Sequence, residues 1–103
     1  MPREPRDHHI PLQAAAALTR RHREAAGKGA ALGGMIGRKA LEELLAQPGC
    51  EGMRIYYGRE ELGQSALVLV GVDAADADMT GGTILEQLYP CPPICGNKNQ
   101  LNS

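Results

Sequence analysis

Three cysteines and one helix-borne histidine carry the richest chemistry in this chain. Cys91 and Cys95 flank Pro92-Pro93-Ile94, and two thiolates at that spacing can share one tetrahedral metal. Cys50 follows Gln47-Pro48-Gly49, a turn that would let it approach, and His22, or else His8 or His9, would add a nitrogen. Cys50, Cys91, Cys95 and His22 are therefore a candidate Cys3His zinc set, although two close ligand pairs, the usual signature, are not both present. A disulfide competes with the metal. In extended polyproline the Cα atoms of Cys91 and Cys95 would stand roughly 12 Å apart, against a limit of about 7 Å for a bridge. Joining them requires a sharp turn at Ile94-Cys95-Gly96, whereas Cys50 is freer to pair with either. Three free thiols packed as small hydrophobes are the plainest alternative.

Other constellations carry less. Gly33-Gly34 and Gly37 beside Arg38 and Lys39 could cradle a phosphate at a helix start. They match neither the P-loop nor the dinucleotide fingerprint, and a flexible connection explains them more simply. Asp73, Asp76 and Asp78 lack the order and closing Glu of a calcium loop, so a solvated turn is expected. No Cys or Ser has a His near it in sequence, so a thiol enzyme would need folding to bring His22 to Cys50. No catalytic residue is assigned, and a non-enzymatic protein is expected.

These residues need a scaffold, and one stretch must anchor it. Leu67, Val68, Leu69, Val70 and Val72 crowd aliphatic side chains without polar alternation, as in a strand shielded on both faces. Burying each contributes roughly 1.5–3 kcal/mol, so Val68→Asp should unfold the domain. Residues 51–57 alternate, with Met53, Ile55 and Tyr57 on one side and Gly52, Arg54 and Tyr56 on the other. A charged loop over residues 58–64 would close a hairpin. Residues 83–89 fit either a helix stripe or a third strand, with the strand preferred.

Two helices are expected, at residues 11–26, stopped by Gly27, and at residues 35–47, stopped by Pro48-Gly49. A glycine-rich linker over residues 27–34 would join them. Residues 1–9 read as a flexible arm, 10–95 as one domain, and 96–103 as a loose polar tail. The fold class is α+β: two helices on a small two- or three-stranded antiparallel sheet, with an extended Cys-Pro tail.

The 103 residues include three Tyr and neither Phe nor Trp, which leaves a core of Leu, Ile, Val, Met and Ala. Net charge is −1, yet residues 1–39 hold eight cations against three acids, a balance of +5. Residues 40–103 hold three cations against nine acids, a balance of −6. Pairing within or between subunits accounts for this asymmetry better than nucleic acid does, because no aromatic-studded basic surface accompanies it. The absence of a long apolar run or a secretory leader leads to the expectation of a cytoplasmic protein with no membrane partner.

Four pieces of the chain, Gly33-Gly34-Met35-Ile36-Gly37-Arg38-Lys39-Ala40-Leu41, Leu45-Ala46-Gln47-Pro48-Gly49-Cys50-Glu51-Gly52-Met53-Arg54-Ile55-Tyr56-Tyr57-Gly58, Leu67-Val68-Leu69-Val70-Gly71-Val72-Asp73 and Pro90-Cys91-Pro92-Pro93-Ile94-Cys95, follow one another in order. Together they resemble a group of short hypothetical proteins from bacteria of the Bacteroidetes type. The resemblance spans most of the chain after the first helix and implies no activity, cofactor or partner.

Because two helices can cover only one face of a strand that is apolar on both, the second face needs either the Cys-Pro tail or another copy of the chain. The expected function is thus non-enzymatic binding or assembly, with a homodimer or another protein as partner. The alternative is a small thiol or zinc protein built on Cys50, Cys91 and Cys95.

Overall fold

The computed structural model describes residues 4–103. Met1, Pro2 and Arg3, the first positions of the expected arm, lie outside the described residues. The fold is α+β, with two helices and two antiparallel sheets. The chain forms two compact units.

The first unit, residues 36–88, is built on the aliphatic strand. β2 (Cys50–Arg59) and β3 (Ser65–Asp73) form an antiparallel hairpin, and β4 (Ile84–Leu85) adds to the far side of β3, giving the order β2-β3-β4. At the hairpin turn Glu60 N–H donates to Gln64 O at 2.8 Å, and Gly63 occupies left-handed backbone at φ 94°. The register sets Ile55 opposite Leu69 and Arg54 opposite Val70, so the alternation expected in β2 is present. Leu69, Val70 and Val72 are buried, which places aliphatic side chains inside on both faces of β3.

Helix α2 (Arg38–Leu45) covers the Leu69/Gly71 face and brings in Leu44, the one fully buried large side chain among the described residues. Gln47, just beyond the helix, locks it in place. Its Nε2 donates to Leu44 O at 2.8 Å, and its Oε1 accepts Thr83 N–H at 2.8 Å. The opposite face is roofed from within the unit. Arg54 and Tyr56 lie on the Val70 side and reach over to Asp76 and Asp78 in the loop after β3. The aspartates expected in a solvated turn are therefore structural. Asp73 Oδ1 also holds that loop, accepting from Ala75 N–H and Ala77 N–H.

The second unit comprises Glu4–Met35 and Tyr89–Ser103. Helix α1 (Leu12–Ala26) starts after Pro11 and ends at Gly27, whose φ of 83° suits a helix stop. The presumed glycine linker contains a strand: β1 (Gly33–Met35) pairs with β5 (Tyr89–Cys91), with Gly33 opposite Cys91. This ladder joins segments more than fifty residues apart and removes Met35 from the second helix, which starts only after Gly37 in extended backbone.

The Cys-Pro tail turns instead of running straight. Ile94 N–H donates to Pro90 O at 2.8 Å, and the Cys91-Pro92 and Pro92-Pro93 peptide bonds are cis. The final residues, expected to be loose, are held by Asn102, whose Nδ2 donates to Cys95 O and Asn97 O. Arg23 also holds them, donating to Leu101 O and Ser103 O at 2.8 and 2.9 Å.

Candidate functional site

The four residues of the zinc set fall into both units. In the second unit Cys91 and Cys95 are joined in a disulfide, their Cα atoms 4.7 Å apart across the turned Pro-Pro segment. In this state neither sulfur is a thiolate, so a metal would require the reduced pair. His22 Nε2 lies 2.7 Å from Ala31 O, a carbonyl that can only accept, so Nε2 is a hydrogen-bond donor and is not open to a metal. Cys50 belongs to the first unit, where its free, half-buried thiol donates to Gly52 O at 3.2 Å. Among the described residues no group of three or more His, Cys, Asp or Glu side chains is placed to hold a metal ion.

A hollow of about 170 Å³ in the second unit is lined by Leu18, Thr19, His22, Arg23, Leu32 and Leu101. Its walls are mainly aliphatic, and Arg23 is already occupied by the two carbonyls of the chain's last residues.

The other prominent feature is the margin of the three-stranded sheet. Its two edges differ sharply. On one side the far edge of β3 is met only by the two residues of β4 and the isolated Val72–Asp78 bridge, an interrupted edge that offers little to an incoming strand. On the other side β2 runs for ten residues, with no strand beyond it among the described residues. Among the described residues, no backbone group other than those of β3 bonds to residues 51–59. An edge of this length is a template for further strand pairing. Two apolar side chains along it and one at the hairpin tip are uncovered: Ile55 is 51% exposed, Tyr57 92%, and Leu62 at the tip 88%.

Charge at this margin is already organised. Arg54 donates to Asp78 Oδ1 and, at 3.1 Å, to Asp76 Oδ1, while the Tyr56 hydroxyl donates to Asp78 Oδ2 at 2.5 Å. The Tyr56 hydrogen bond, followed by the Arg54 guanidinium, holds the Asp78 carboxyl below its ordinary range, and the same bond to Asp78 pushes the Tyr56 phenol up. These are the properties of a saturated clamp, in which Arg54 and Asp78 serve each other. Glu51 and Arg59, at the two ends of the strand, are exposed.

Alternation in residues 51–57 made the apolar face of β2 visible in the sequence. Its position at a sheet edge was not visible, because that depends on β4 joining β3. No helix among the described residues is long and apolar enough to cross a membrane. No family model, no curated protein and no solved structure matches the chain.

Proposed function

We propose that the protein is a non-enzymatic binding or assembly module that engages another polypeptide through the open edge of β2. The supporting observation is the ten-residue edge strand, whose outer side pairs with no strand among the described residues, beside exposed Ile55 and Tyr57. Main-chain N–H and C=O groups along such an edge supply affinity, and alternate side chains supply selectivity. The test is a photo-crosslinking residue in place of Tyr57, irradiated in cells that produce the full chain. A polypeptide adduct at that position supports edge recognition; irradiation that yields only water-quenched product defeats it.

The Cys91–Cys95 disulfide favours a second reading, a thiol protein. In the cytoplasm, the compartment the sequence suggests, glutathione and thioredoxin reduce accessible disulfides. Two electrons and two protons from a dithiol such as reduced thioredoxin would convert the bridge to two thiols, and only that form could offer Cys91 and Cys95 to zinc. Thiol labelling after acid quenching of cells, with elemental analysis of the reduced protein, tests it. A bridge oxidised throughout and no bound zinc would remove this alternative.

A further inference from the structure

We infer that the polypeptide seated on the β2 edge is a second copy of this chain, paired antiparallel about a two-fold axis at Ile55. This rests on the β2 edge being an interaction surface and adds the partner and the register. When a strand pairs with itself about a two-fold axis, residue i faces residue j and j faces i. Facing side chains must also project on the same side of the sheet, so the axis passes through a residue, not between two.

Three such axes keep most of the strand paired. With the axis at residue 54, Arg54 faces Arg54 of the second copy. With the axis at residue 56, Met53 faces Arg59, and the bulged Glu51 comes to the acidic hairpin turn of Glu60 and Glu61. With the axis at residue 55, Met53 faces Tyr57 and Ile55 faces Ile55, while Gly52 meets Gly58 and Arg54 meets Tyr56 on the other side, and Arg59 comes to the bulge at Glu51. Only this register sets no like charges together and brings Arg59 of each copy to the end of the strand where the other carries Glu51.

The register also completes a row that each chain begins. Leu85 faces Leu69 and Leu69 faces Ile55 within one chain. Pairing at Ile55 continues the row into Ile55, Leu69 and Leu85 of the second copy, with no polar side chain across the joined sheet. It covers the exposed Ile55 and sets the exposed Tyr57 against Met53. The bulge at Glu51, where the β2–β3 register shifts, ends the regular segment near Gly52. The facing glycine, Gly58, stands at the other end. The Glu51 and Arg59 charges then close both ends of the interface.

The full chain is tested in three ways. Sedimentation of the unaltered protein should give twice the 11.0 kDa chain mass as concentration rises, and Ile55→Lys should give a single-chain mass with its thermal melt retained. On a Cys50→Ala background, Ile55→Cys should oxidise to a covalent dimer, because directly facing Cβ atoms lie about 5 Å apart. Tyr57→Cys should crosslink only when mixed with Met53→Cys. Glu51→Arg should weaken the dimer about tenfold, the pair being present twice, and adding Arg59→Glu should restore it. A single-chain mass at every concentration, or crosslinking at another position in preference to 55, overturns the proposal. If the photo-crosslinker at 57 captures a different polypeptide while the protein stays single-chain, edge recognition survives and self-pairing falls. If it captures nothing, both fall.

Discussion

The Tyr56 hydroxyl donates to Asp78 Oδ2 at 2.5 Å across 22 residues of sequence, and this bond with the Arg54 contact to the other oxygen ties the loop after β3 back to β2. The clamp works only while Asp78 is ionised and Tyr56 is protonated.

The pH dependence of stability follows from that requirement. Asp78 titrates below its ordinary value of 3.8 in the folded protein. Its contribution is therefore complete above that value and is lost as pH falls through the lower folded one. Tyr56 is raised above 10.0, so its contribution is complete below pH 10.0 and is lost as pH rises through the higher folded value. Glu60 has the opposite sign to Asp78. Its hydrogen bond and repulsion with Glu86 raise it above 4.5, a contribution present in acid and lost towards neutrality. Thermal melts across the acid range should show a shallower acid loss for Asp78→Asn than for the unaltered chain. Glu86→Gln should remove the opposing contribution from Glu60. Parallel acid limbs for Asp78→Asn and the unaltered chain would mean that the clamp does not hold the loop.

Gln47 is the second fastening, and its environment predicts a non-additive pair. An added Cβ at Gly82 would collide with Gln47 Oε1, and one at Gly71 would stand 2.9 Å from Gln47 Nε2. Neither glycine has left-handed backbone, so contact is the obstacle and backbone strain is not. Gly82→Ala should cost about 1–3 kcal/mol through overpacking. In a Gln47→Ala background, which itself loses about 1 kcal/mol with its hydrogen bonds, the same change should be markedly cheaper. Urea unfolding of the two single variants and the double variant measures the coupling. Additive costs would show that Gln47 and Gly82 do not compete for the same space.

The buried strand, the hairpin and the first helix were legible because each rests on local pattern. Val68 to Val72 lack polar alternation, Met53 to Tyr57 alternate, and Pro11 and Gly27 bracket a helical stripe. What escaped depends on distant partners. Gly33–Met35 has almost no side chain to declare a strand, and becomes one only because Tyr89–Cys91 lies beside it. The roof over Val70 needs Arg54 to meet Asp76 and Asp78, residues whose composition alone reads as solvated loop. The β2 edge was half visible, since its apolar alternation is local while the two-residue length of β4 on the opposite side is not.

Core truncations should separate burial from exposure. Leu44 is fully buried between α2 and the sheet, so Leu44→Ala should cost about 2–5 kcal/mol. Leu62→Ala, at the exposed hairpin tip, should leave the unfolding midpoint within about 0.5 kcal/mol of the unaltered chain. Comparable losses at both positions in a denaturant titration would contradict the assigned core.

The Cys91–Cys95 bridge sets a prediction for the second unit alone. It closes a short loop beginning within β5, where Cys91 faces Gly33 and its carbonyl accepts Leu32 N–H at 2.8 Å. Removing a crosslink over so few residues releases about 2 kcal/mol of chain entropy to the unfolded state. In this unit Leu18 is exposed and α1 buries no residue completely, so little apolar burial is present to absorb that loss. Reduction, or Cys91→Ser with Cys95→Ser, should therefore raise amide hydrogen exchange first at β1 and β5, and then at the asparagine turn that Asn102 ties to Cys95 O. The amides of β2 and β3, whose burial and pairing lie within the first unit, should keep their protection. Uniform deprotection of β2, β3 and β5 on reduction would show that the bridge supports the whole chain.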